Sequence, residues 1–151
     1  MFEWLKGVDV SELQKALSVI REKAINDTEL GNAFERLSKV FLENDATQTQ
    51  QYSKVWHYSD WAREQEGYAT KDIGIDLVAK LRDEEGYCAI QCKFYQPNHT
   101  ISKADLDSFI SASASADFTR LMLIDTSTQP IGKNAQSVFE NLTQEYIRIQ
   151  L

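Results

Sequence analysis

Apolar residues recur at helical spacing near the start of the chain, at strand spacing through its middle, and in alternating helical and strand segments towards its end. From Val8 to Ala24, the positions Val10, Leu13, Leu17, Ile20 and Ala24 fall three or four apart. That is the period of an amphipathic helix, and Ser11 with Gln14 offers a capping box at its start. Asn26-Asp27-Thr28 supplies a break with capping chemistry. Leu30, Phe34, Leu37, Val40 and Phe41 then form the stripe of a second helix ending near Asn44. Residues 45–51 are polar and irregular, Tyr52 to Tyr58 is strand-like, and Asp60 to Thr70 reads as loop.

Two β-rich runs follow, Gly74 to Leu81 and Tyr87 to Tyr95, separated by Arg82-Asp83-Glu84-Glu85-Gly86. Charge together with a glycine able to take φ > 0 predicts a turn, and hence an antiparallel hairpin. Gln96-Pro97-Asn98 ends this sheet segment, and Ser102 opens a helix carrying Leu106, Phe109, Ile110 and Ala114 on one side. Leu121 to Ile124 is a short buried strand. A helix between two strands implies a right-handed crossover, which sets this strand parallel to the second hairpin strand. A helix through Ala135, Val138, Phe139 and Leu142 and a strand-like run from Tyr146 to Leu151 complete the chain. The pattern predicts an α/β domain around a mixed sheet.

Within the hairpin the alternation of side chains puts Gln91 and Lys93 on one face with Tyr87, Ala89 and Tyr95, and Cys88, Ile90, Cys92 and Phe94 on the other. Asp76 interrupts the apolar run of the first strand between Ile75 and Leu77, where a carboxylate needs a partner or a metal ion because burying it bare is costly. An acid facing an amide and a lysine is a reactive set; its bland counterpart is a buried Asp76–Lys93 salt bridge. Glu35 lies one position off the second helix's stripe, on a face with Gly31, Ser38 and Leu42. On its residues alone it is an ordinary flanking carboxylate.

Taken in order, these residues resemble the PD-(D/E)xK superfamily of metal-dependent nucleases, in the branch written D…QxK, and within it the Mrr-like restriction endonuclease domains. The resemblance rests on Gly74-Ile75-Asp76-Leu77, on Ala89-Ile90-Gln91-Cys92-Lys93, and on the helix Gly31-Asn32-Ala33-Phe34-Glu35-Arg36-Leu37. Val55-Trp56 to Asp60-Trp61 is similar to the nuclease end of single-chain type ISP restriction-modification enzymes. The resemblance implies a restriction-endonuclease-like core of about four to five strands flanked by helices, with an extra N-terminal helix. Residues 1–28 would be that helix, packing on the core, and 29–151 the nuclease domain, excised from a larger multidomain protein. It further implies Mg2+-dependent hydrolysis of DNA phosphodiester bonds, with Mn2+ able to substitute. Asp76 would anchor the metal, joined by the backbone carbonyl of Cys92 and, directly or through water, by Glu35. Gln91 would lend a carbonyl oxygen but no charge, leaving metal affinity modest. Lys93 would position the attacking water and stabilise negative charge as the bond breaks.

Charge changes the picture of the partners. The chain has 151 residues, enough for one domain with one moderate core, and a net charge of −7. Because Lys and Arg contacts to phosphate supply most non-specific affinity, such a domain should hold double-stranded DNA only weakly by itself. The resemblance to type ISP enzymes implies helicase and methyltransferase domains of a longer chain that deliver the substrate, with double-strand cleavage by a second nuclease domain and nicking as the two outcomes. The alternative is a catalytically silent nuclease-fold module that binds DNA or a partner domain. No apolar run is long enough to span a membrane and the first residues lack a secretory pattern, so the expected location is the cytoplasm.

Cys88 and Cys92 lie on one strand, about 13 Å apart at strand rise, too far for a disulfide. With His57 and His99 standing apart from them and from each other, no zinc motif is formed. The aromatics Tyr52, Trp56, Tyr58, Trp61 and Tyr68 suit core or lid packing, with base stacking as the competing use. Gly132-Lys133 lacks the glycine spacing of a phosphate loop. Thr126-Ser127-Thr128 reads as a capping loop, with contact to a DNA phosphate through its hydroxyls or Lys133 as the competing use.

Overall fold

A computed structural model describes residues 10–24, 26–71 and 73–151. Helix α1 (Val10–Lys23) follows the first apolar stripe; its expected start at Val8 and the Ser11 side chain of the capping box lie outside the described residues. Helix α2 (Asp27–Asn44) begins where the Asn26 side chain accepts from the Glu29 N–H at 2.9 Å. Asp45 then ends one helix and starts another. Its N–H donates to the Phe41 carbonyl at 2.9 Å, and its carboxylate accepts from the Thr47 and Gln48 N–H groups, capping α3 (Ala46–Gln51). The stretch expected to be irregular is therefore helical, although none of its residues is buried.

Strand β1 (Tyr52–His57) runs directly into α4 (Tyr58–Glu64), where a loop was expected from Asp60. Tyr58, Trp61 and Ala62 are the buried residues of α4, and their i, i+3, i+4 spacing accounts for the turn of helix. The chain continues through β2 (Leu77–Leu81), β3 (Tyr87–Lys93), α5 (Lys103–Ala112), β4 (Phe118–Asp125), α6 (Lys133–Glu140) and β5 (Glu145–Gln150). Ser102 opens α5, as its sequence predicts, and caps it in a full capping box with Asp105.

Among the described residues these strands form one five-stranded sheet in the order β1-β2-β3-β4-β5. β1/β2 and β2/β3 are antiparallel, β3/β4 and β4/β5 parallel, so the sheet is mixed as expected. The hairpin turn closes at Gly86, whose φ of 103° would strain any other residue and whose added Cβ would meet the Thr119 side chain at 2.5 Å.

The alternation read along β3 decides what each face meets. Cys88 and Ile90 join Leu77, Ala79, Met122 and Ile124 under α1 and α2, which contribute Leu13, Leu17, Ile20, Phe34, Leu37 and Phe41. On the opposite face, Ala89 packs with Val78, Leu121, Trp61, Phe109 and Phe118. Leu123 packs there with Ile101, Leu106, Ala135 and Phe139. Each such buried Leu, Ile or Phe side chain contributes about 1.5–3 kcal/mol, which outweighs the weak local propensities of the short elements. Trp61 is fully buried, with its ring 4.7 Å from that of Tyr68 and 5.2 Å from those of Tyr87 and Phe118. Core packing, not base stacking, is its role. Among the described residues no helix is long and apolar enough to cross a membrane.

Candidate active site

Asp76 lies one residue before β2 rather than within it. Its N–H donates to the Ile90 carbonyl at 2.9 Å, and its own carbonyl accepts from the Tyr58 N–H at 3.0 Å. The residue is thus fixed between β3 and the β1–α4 junction. Backbone pairing of β2 with β3 ends at Leu77 opposite Ile90. Beyond it the Asp76 carboxylate takes over, accepting from the Cys92 N–H at 2.8 Å. In a strand the N–H and C=O of one residue point to the same side, so the Cys92 carbonyl is also directed to the side of Asp76.

Gln91 is almost fully buried. Its Nε2 donates to the Gly74 carbonyl at 3.3 Å, which orients the amide, while its Oε1 is buried without a partner among the described residues. Gly74 is itself constrained. Its φ is 107°, and a Cβ would stand 2.8 Å from the backbone of Ser108 in α5, so the loop that presents Asp76 lies against that helix too closely for a side chain.

Lys93 ends β3, one residue past the Cys92 that binds Asp76. Its side chain makes no hydrogen bond or ion pair among the described residues, so the Asp76–Lys93 salt bridge is not formed there. Lys93 stands in register beside Asp125 on β4, a distance of roughly 4.8 Å between strands. That carboxylate is already committed: it accepts from Arg148 Nε at 2.8 Å, Arg148 Nη2 at 3.0 Å and the Ser127 N–H at 2.9 Å. Arg148 keeps Asp125 from claiming the lysine.

Glu35 projects from α2 to the same end of the sheet, but its Oε1 is 2.9 Å from Nδ1 of His57, the last residue of β1. This histidine does not stand alone, and no local sequence signal marks it. His99 also has partners, Asp105 at 3.0 Å and a stacked Tyr95 ring at 4.0 Å. Thr126 and Ser127 are buried and bond to Tyr95, Pro97 and His99, so their loop is structural, as expected. Glu35, His57, Tyr58, Ser59, Ile75 and Asp76 line one open cavity of about 160 Å³. It is smaller than the roughly 300–1,000 Å³ of small-molecule pockets, and suits a reacting group presented from outside. Gln91 and Lys93 are not among its described walls; Gln91 bonds to Gly74, two residues before Asp76, and Lys93 follows Cys92, whose N–H donates to Asp76.

Among the described residues no group of three or more His, Cys, Asp or Glu side chains is placed to hold a metal ion. Cys92 is no soft ligand either: burial, then the neighbouring Asp76 carboxylate, pushes its thiol well above the ordinary range. Burial likewise pushes Cys88 up to about 12, and both are free thiols. What the site offers is oxygen, from the Asp76 carboxylate, the Cys92 carbonyl and the unpartnered Gln91 Oε1. Such a donor set fits a hard divalent cation with water in its remaining positions.

The fold and the sequence each have a counterpart among known proteins. The fold is similar to that of the ATP-dependent Type ISP restriction-modification enzyme LlaBIII bound to DNA, with a TM-score of 0.69 and 24% identity over 90% of this chain. The chain spans 8% of the length of that enzyme. No curated protein matches it by sequence. Residues 43–151 match the Mrr_cat_2 family model, described as restriction endonuclease. That match takes in the hairpin, Asp76, Gln91 and Lys93, and this chain belongs to the Mrr_cat_2 restriction endonuclease family.

Proposed function

We propose that this chain is the nuclease domain of a multidomain restriction-modification enzyme of the type ISP kind, hydrolysing DNA phosphodiester bonds with Mg2+, or Mn2+ in its place. The observation that carries the proposal is the buried Gln91 Oε1, an acceptor removed from water and left without a partner among the described residues, on the strand whose next residue, Cys92, binds the Asp76 carboxylate. Leaving such an oxygen unsatisfied costs about 1–3 kcal/mol, which a cation or its water would offset. When bound, that ion supplies charge neutralisation on the phosphate and a more acidic water.

The chain's own residues do the rest. Asp76 and the Cys92 carbonyl hold the cation side of the site, and Gln91 offers an oxygen without charge. Lys93, with no described partner, is available to hold the attacking water and the negative charge that grows on the phosphate. Glu35 acts from further out, through His57 or through water. The net charge of −7 suits a domain whose DNA is delivered by helicase and methyltransferase modules in the same enzyme, and a second nuclease domain would cut the other strand.

The purified chain is expected to nick or cut plasmid DNA feebly, and only with Mg2+ or Mn2+ present. Gln91→Glu adds a charge beside Asp76 and should tighten Mn2+ binding, whereas Gln91→Ala should weaken it, both read by titration calorimetry. Efficient cutting in a chelator would show that the site is misassigned. Unchanged Mn2+ affinity in both variants, with a lower melting temperature for Gln91→Glu, would mean that Gln91 only fills a buried position.

A further inference from the structure

The Glu35–His57 pair is the part of the cavity that the metal donors leave unexplained. His57 closes β1 opposite Leu77, so the backbone of the next residue, Tyr58, bonds directly to Asp76. The imidazole is therefore tied to the same few residues that fix the acid. Its Nδ1 is 2.9 Å from Glu35 Oε1. A carboxylate accepts only, so Nδ1 carries the hydrogen and, in the neutral ring, the lone pair is left on Nε2. Nε2 has no partner among the described residues, and the side chain is 34% exposed where it lines the cavity with Asp76. A surface histidine without a task has no need of a carboxylate from another element to choose its tautomer. Here α2 supplies one, from a side chain that is itself only 25% exposed.

We propose that His57 is a catalytic residue whose Nε2 accepts a hydrogen bond from the water that attacks the phosphate, with Glu35 as its positioning residue. This rests on the nuclease reading of Asp76. In the step itself the water oxygen forms the new bond to phosphorus, the ester bond to the leaving oxygen breaks, and the water's proton passes to Nε2. The leaving oxygen takes its proton from solvent, and His57 returns its own to solvent afterwards. Lys93 then serves the phosphate charge, and Glu35 has no need to touch the cation.

The test separates the two ring nitrogens. His57→Asn places an amide near the Nδ1 position and can still donate to Glu35, but removes Nε2. With plasmid DNA and Mg2+, kcat is expected to fall by about 10²–10⁴, the usual size of a proton-transfer contribution, with KM and the Mn2+ affinity within about twofold of the parent. On the metal-free protein, long-range 15N–1H spectra should show the Nδ1–H tautomer in the parent and lose it in Glu35→Ala. A kcat within twofold of the parent for His57→Asn overturns the proposal, as does an Nε2–H tautomer in the parent. Loss of Mn2+ affinity in His57→Asn would make His57 a metal ligand and overturn the water role. Should His57→Asn melt at a markedly lower temperature, Glu35→Ala decides. It removes the acceptor that holds Nδ1–H, and an unchanged kcat there overturns the proposal, whereas Glu35→Gln, which keeps an oxygen for Nδ1–H, should restore part of the rate. Asp76→Asn, run alongside, keeps the two readings apart: if it also cuts normally, the nuclease site itself has failed, whereas if it is inactive and His57→Asn is not, only His57 has.

Discussion

Asp76→Asn is expected to lower DNA cleavage by about 10³ or more while leaving the thermal melt close to that of the parent. The factor follows from the several kcal/mol that a bound cation contributes to the transition state, at about 1.4 kcal/mol per tenfold. The choice of asparagine follows from the structure. A metal-anchoring carboxylate often costs its fold some stability, which on sequence alone makes Asp76→Ala look harmless to the fold. Here, however, the carboxylate accepts from the Cys92 N–H at 2.8 Å, past the end of the β2–β3 ladder. Alanine would strand that amide at a cost of roughly 1–3 kcal/mol, so a loss of activity in Asp76→Ala would mix chemistry with damage. Asparagine keeps an oxygen for Cys92 and removes only the charge. An Asp76→Asn protein that cuts plasmid DNA at the parental rate would rule out Asp76 as the anchor.

Arg148→Ala should cost the fold about 3–5 kcal/mol, the usual loss when one partner of a buried ion pair is removed. For a chain of this length that is a fall of roughly 6–20 °C in melting temperature. Asp125 is fully buried, and Arg148 is its only described charged partner. Adding Asp125→Asn to Arg148→Ala should recover much of the loss, because the orphaned charge is gone while an oxygen remains for the Ser127 N–H. The same single variant has a second effect. With Arg148 absent, Asp125 is free to draw on Lys93, its neighbour in register, and cleavage should fall further than the melt explains. A single variant that melts with the parent would show that the pair does not hold β5 to β4.

How much of this was legible in advance depends on the range of the interaction. The hairpin was readable because turn chemistry and side-chain alternation are local: Gly86 closes the turn where those rules put it, and Gln91 and Lys93 lie on the strand that follows. The mixed sheet followed from one crossover helix between β3 and β4. Helices α3 and α4 were missed for opposite reasons: α3 has no apolar stripe and exists by virtue of the Asp45 cap, whereas the buried Tyr58, Trp61 and Ala62 of α4 are interleaved with charges. Asp76 was placed inside a strand because sequence cannot show a side chain taking over a ladder position. The Glu35–His57 bond joins residues 22 apart from a helix and a strand edge, and the Lys93–Asp125–Arg148 relation needs the register of two parallel pairings. Neither leaves a mark on a single sequence.

The strand order has a consequence for amide hydrogen exchange across the site. β3 is the centre of five strands and is paired on both sides, whereas β1 has only β2 beside it. Amides of a central strand open with the whole domain, and those near an edge strand's end open in smaller, cheaper fluctuations. Gln91, Cys92 and Lys93 therefore belong to the slowest-exchanging part of the chain, while His57, at the end of the edge strand, belongs to a faster one. The Gln91–Lys93 side of the site persists through fluctuations that release the histidine side, so the cavity can lose and regain its Glu35–His57 arm without unfolding the strand that carries the lysine.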